Sequence, residues 1–199
     1  MKQDFAIESI EVREEAVQPL SMHPQKFAMW LFLVSVVMVF VSLTSAYIVR
    51  QSEGDWKLFE LPDIFITSTI VLLLSSATMH WAYISARLDN LDMLKVAMFI
   101  TTLLGSVFLY LQFAGWSDLV NINVHFTGGS PSESFVYVLS GLHMAHLVSG
   151  VIFMIVVLVK AFRYKVHSKN MVNMDMLSTY WHFLDGLWVF LFLFLWLNN

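Results

Sequence analysis

The chain of 199 residues contains no cysteine. That excludes disulfides, thiolate-held metals and a cysteine nucleophile. Charge is scarce too: Asp, Glu, Lys and Arg make up 13% of the residues, against roughly a quarter in an ordinary soluble domain. The 11 Lys and Arg form no basic patch, so nothing points to nucleic acid. Neither a low-complexity tract nor an internal repeat is visible. What fills the chain is apolar: 58% of it, including 17 Phe, 7 Trp and 6 Tyr. Such a composition argues against disorder and against a soluble globular protein. An integral membrane protein is left.

A bilayer core of roughly 30 Å needs about 20 mostly apolar residues as a helix. Five segments meet that length, at about 27–49, 64–86, 93–113, 135–159 and 177–197. Backbone polar groups must pair internally in lipid, which favours helices. Runs such as Ile70–Leu74 and Val189–Leu197 do not alternate in polarity, as barrel strands would. The expected fold is all-α, a membrane bundle of five helices spanning 26–199. Before it lies an acidic tail, 1–25, with Asp4, Glu8, Glu11, Glu14 and Glu15 against Arg13. The first apolar run is too long and begins too late for a cleaved signal peptide.

Orientation follows from the cations. Five spans place Lys2, Arg13, Lys26, Arg87, Lys95, Lys160, Arg163, Lys165 and Lys169 on one side, and only Arg50 and Lys57 on the other. The expectation is a cytoplasmic N-terminus and an external C-terminus. Between Ala114 and Ser134 there is no Lys or Arg, as suits an external loop. The connection Leu88–Asp92 is so short that spans two and three should be antiparallel neighbours.

Ionisable groups at membrane depth are costly and need a reason. His80 lies in the second span, two turns from Arg87. His143 and His146 lie three apart in the fourth and should share a face. In the fifth, His182 and Asp185 are also three apart, beside Trp181. Counted from Leu177, Asp185 is roughly 12 Å into its helix. It should face protein and be paired or protonated, with His182 or His80 as partner.

Three readings cover these groups. Axial haem ligation needs histidines facing each other across the ring, and His143 and His146 stand on one helix. A metal site from His143, His146, His182 and Asp185 suits helical spacing, but no Glu-x-x-His pair of the di-iron type accompanies it. The third reading is helix pairing and contact with lipid headgroups. Ser140, Gly141, Ala145, Ser149 and Gly150 let helices approach closely, and this chemistry is the commonest. Trp30, Tyr47, Trp56, Trp81, Tyr83, Trp116 and Trp196 lie near span ends, where aromatic rings anchor at the interface.

Four stretches resemble one family. STYWHFLDGLWVF (Ser178–Phe190) looks like the last helix of subunit III of haem–copper oxidases, of the cytochrome c and quinol oxidase type. GLHMAHLVSGVIF (Gly141–Phe153) is similar to that family's G-x-H-x-x-H…G pattern. STIVLLLSSATMHWA (Ser68–Ala82) resembles its L-L-x-S-S…H segment, and HPQKFAMWLFLVS (His23–Ser35) the start of its first shared helix. The order is right, and five spans match the short bacterial form, which lacks two N-terminal helices.

The resemblance implies an accessory role without an active site or metal of its own. Haem and copper would belong to the partner, subunit I, which reduces oxygen and pumps protons in a bacterial cytoplasmic membrane. This chain would steady that partner and hold phospholipid, beside other oxidase subunits, a second subunit III-like chain or a respiratory supercomplex. His80, Arg87, His143, His146, Trp181, His182 and Asp185 are then candidates for lipid contact or helix pairing. One departure stands out: Val36 occupies the place of a buried Glu in many relatives, and QFAGWSDL (Gln112–Leu119) also lacks a Glu that relatives often carry. A subunit III-like partner of a nitric-oxide reductase and a free-standing proton or solute transporter are the alternatives.

Overall fold

The structure is a computed structural model that describes residues 23–54, 56–57, 61–128, 130–162 and 171–198. Residues 1–22 of the acidic tail, with all its acids, and the cationic connection with Arg163, Lys165 and Lys169 lie outside the described residues. Five α-helices follow in order: α1 Pro24–Gln51, α2 Ile64–Arg87, α3 Leu91–Asn121, α4 Pro131–Phe162 and α5 Val172–Asn198. All five are long and apolar enough to cross a membrane, and there is no strand among the described residues. The fold class is the one expected.

The helices overrun the apolar segments, because capping chemistry sets their ends. Pro24 opens α1 behind His23, whose imidazole accepts from the Gln25 N–H. Asn90 caps α3 by accepting from the Met93 N–H. The α2–α3 turn is a Schellman ending: Asp89 takes φ 53°, the Asn90 N–H donates to Ser85 O, and the Asp89 N–H donates to Ala86 O. Asn123 ends α3 in the same way, at φ 60°, with Val124 bonded to Leu119 and Asn123 to Val120. α3 has 31 residues, about 46 Å of helix, so it projects beyond a hydrocarbon core of roughly 30 Å or tilts within it.

The hairpin α2–α3 is the most extensive contact, as its short turn dictates. α5 packs on α2 and α4, and α4 on α3. By contrast α1 leans only on α4 and α5, and approaches neither α2 nor α3 among the described residues. Its seam is Leu33, Val36, Phe40, Thr44 and Tyr47; most of its remaining surface is exposed and apolar. Tyr47 is not an interfacial anchor. It is fully buried among Trp56, Phe135 and Phe194, edge to face at 4.6–5.6 Å. A ring flanked by three other helical or loop segments is core, whatever its distance from the end of its own helix.

Candidate functional site

A seam of cross-helix hydrogen bonds joins α5 to α2. The Trp181 indole N–H donates to Ser75 Oγ at 2.9 Å, and the Trp188 N–H donates to Thr69 Oγ1 at 3.0 Å. Between them, Ser76 Oγ lies 2.7 Å from His182 Nδ1. The helices run antiparallel, so Trp181 and His182 meet Ser75 and Ser76, while Trp188, two turns further on, meets Thr69, two turns further back. On the other faces Gln112 donates to Ser68, Thr101 to Thr78, and Trp116 to Ser140. Hydroxyls one or two turns apart thus act as acceptors for donors on neighbouring helices, each worth about 0.6 kcal/mol in a membrane.

Trp181 is the centre of the bundle. Its ring lies over Gly105 of α3 and Gly150 of α4 while its nitrogen reaches α2. A side chain on either glycine would occupy space the indole now fills. This is the physical content of small residues at a helix crossing.

Asp185 stands at the midpoint of the 27 residues of α5, about 20 Å from its start, deeper than a count from Leu177 suggests. It is 3% exposed, and its Oδ2 is 4.0 Å from His182 Nδ1. Neither carboxyl oxygen has a hydrogen-bond partner among the described residues. His182 therefore is its neighbour, as the spacing of three predicts, but the imidazole is committed to Ser76. His80 is exposed, and its ring centroid is 6.3 Å from that of His182. It lines the same region without pairing with the acid.

His143 and His146 do not share an environment. Three residues turn the helix by about 300°, leaving some 60° between them, and α4 is packed on several sides. His143 points into the core, 0% exposed, stacked on Trp188 with centroids 5.1 Å apart and edge-on to Phe108. Neither of its nitrogens has a hydrogen-bond partner among the described residues. His146 turns to α1. It is half-buried between Phe32 and Phe40, and its Nδ1 donates to Leu142 O at 2.7 Å. Phe32 and Phe40 lie one turn either side of Val36, so the imidazole faces that position. Arg87 is exposed and hydrogen-bonded to Tyr83, its guanidinium 4.6 Å from the phenol ring. Among the described residues no set of three or more His, Asp or Glu is arranged to hold a metal ion.

One acid escaped the sequence reading. Glu133, in the first turn of α4, is 2% exposed. It accepts from the His125 N–H at 3.1 Å and lies 3.4 Å from Lys57 Nζ and 3.5 Å from Ser130 Oγ. Ser132 donates to Lys57 O, and Tyr137 to Val124 O. The group ties the α1–α2 and α3–α4 connections to the start of α4, where a helix dipole favours negative charge. The signal was present as Pro131 followed two residues later by an acid, a helix-start pattern.

The fold and these contacts define an all-helical, multi-pass membrane protein. Residues 14–198 match the family model of cytochrome c oxidase subunit III. The chain is 33% identical over 173 residues to a protein of Staphylococcus saprophyticus named "Probable quinol oxidase subunit 3", covering 84% of this chain and 85% of that one. It is 32% identical, with the same coverage, to the protein of that name in Staphylococcus aureus. The chain belongs to the cytochrome c oxidase subunit III family. Membership makes it a component of a quinol or cytochrome oxidase, working with other oxidase subunits.

Proposed function

We propose that this chain is the accessory subunit III of a respiratory haem–copper terminal oxidase in a bacterial cytoplasmic membrane. Its N-terminus lies in the cytoplasm. Subunit I carries haem and copper, reduces oxygen and pumps protons. The present chain packs against it, steadies it and holds phospholipid. The observation that supports this best is how the polar side chains are used. Ser75, Ser76, Thr69 and Ser68 join helices to one another, while His143, His146 and Asp185 face three different surroundings. No two of these are aimed at a common reactant. Meanwhile α1 offers a long apolar face to a neighbour or to lipid.

The test is isolation from gently solubilised membranes through a tag on this chain. The expected result is co-migration on a native gel with a larger, haem-absorbing subunit that consumes oxygen. Recovery of this chain alone, with the oxidase intact elsewhere on the gel, overturns the proposal.

A further inference from the structure

Trp188 belongs to a circuit of side chains that visits four helices at one level of the bundle. Its indole N–H donates to Thr69 of α2. Beside Thr69, Ser68 Oγ accepts at 3.1 Å from Nε2 of Gln112 on α3. In the other direction the Trp188 ring stacks on His143 of α4, with centroids 5.1 Å apart. The stretch from Gln112 to His143 is all that separates the two ends of this circuit. Two contacts fix its height. Trp116, one turn beyond Gln112, donates to Ser140. Phe108, one turn before it, meets the His143 ring at 6.2 Å. Since α3 and α4 run antiparallel and pack together, Gln112 and His143 stand at one level.

Both ends of the circuit are orphaned. Gln112 is 1% exposed and His143 0%. Gln112 Oε1 and both ring nitrogens of His143 are buried with no hydrogen-bond partner among the described residues. Turning the amide round does not cure this. The Ser68 hydroxyl has spent its hydrogen on Phe65 O, so Ser68 can only accept, and the amide NH2 must face it. Polar groups buried in this way are costly unless something pairs with them. The two ends are complementary at one remove. Gln112 Oε1 accepts only, and a neutral imidazole has one N–H to donate. A water molecule accepts from the one and donates to the other. An apolar occupant would satisfy neither.

We propose that one structural water is bound between Gln112 and His143 in the interior of the membrane bundle. It donates to Gln112 Oε1 and accepts from the N–H of the ring nitrogen turned toward it. This closes a hydrogen-bonded and stacked belt around α2, α3, α4 and α5, and the belt holds the His143 ring on Trp188.

The sample is the purified full-length chain with the subunits that accompany it. Electron cryo-microscopy at a resolution that shows ordered waters should place one peak within hydrogen-bonding distance of both Gln112 Oε1 and a His143 ring nitrogen. The two side chains resolved with no peak between them, or in direct contact, overturns the site. Thermal unfolding gives an independent readout. His143→Phe strips the amide of its bridge and should lower the midpoint by about 2–4 °C. A dry, unlinked imidazole behaves in the opposite way: Phe in its place leaves the midpoint unchanged or raises it, and that result overturns the proposal. Gln112→Met removes the Ser68 bond as well and should cost more. The double variant leaves neither half of the link behind, so its midpoint should be no lower than that of Gln112→Met alone. A further fall as large as that of His143→Phe by itself means that the residues are not linked, and likewise overturns the proposal.

Discussion

A β-carbon added to Gly105 would stand 2.8 Å from Cη2 of Trp181. Contacts that short do not persist, so one side must move. The indole has little freedom, because its nitrogen is bonded to Ser75 and its other edge lies against Gly150. Gly105→Ala is therefore expected to cost about 1–3 kcal/mol through overpacking, read as a lower midpoint of thermal unfolding in detergent. Gly186 is the control: nothing lies within 4 Å of a β-carbon there, and Gly186→Ala should be neutral or slightly stabilising. Equal effects at both glycines would show that helix propensity, and not the wedge, governs the crossing.

Glu133 offers a second test. Its carboxylate holds a backbone N–H and a cation while almost wholly buried. Glu133→Ala leaves the His125 N–H without its acceptor, an effect of about 1–3 kcal/mol. The loss should be local, seen as faster proteolysis between α3 and α4 with the transmembrane core unchanged. Lys57 is mostly exposed and 3.4 Å away, so Lys57→Ala should cost less than about 1 kcal/mol. A Lys57 effect as large as that of Glu133 would make the ion pair, and not the backbone bond, the working contact.

The five helices were legible because lipid imposes one demand, a long apolar run, that a sequence displays directly. The His182–Asp185 neighbourhood followed from helical spacing alone. Other features depended on where neighbouring helices stand. His80 looked intramembrane and buried, yet α2 turns it outward. His143 and His146 looked like one site, yet α4 has neighbours on more than one side. Tyr47 read as an interfacial ring until α4, α5 and the α1–α2 connection closed around it. Glu133 was overlooked because an acid near a loop reads as solvated until the loop folds over it.

Asp185 should prove dispensable for chemistry. Its oxygens have no hydrogen-bond partner among the described residues, so Asp185→Asn removes a costly ionisable group without breaking a bond. Folding stability should not fall by more than about 1 kcal/mol, since the carboxyl has no hydrogen bond to lose and its unpaired burial is itself a cost. Oxygen consumption by the assembled oxidase should continue at the native initial rate. An abrupt loss of activity with the complex intact would place Asp185 in the oxidase's proton or electron path and contradict an accessory role.

Val36 supplies the most discriminating prediction. It is 3% exposed, and His146 faces it between Phe32 and Phe40. A Glu placed at this position would meet an imidazole. Val36→Glu should then be tolerated in the native background, because His146 can give up its bond to Leu142 O and take the carboxyl instead. In a His146→Phe background the same Glu has no such partner, and burying it unpaired is costly. The double-mutant cycle should show a favourable coupling of about 0.6–1.7 kcal/mol, the range for paired polar groups between membrane helices. Additive effects would mean that the imidazole cannot reach position 36.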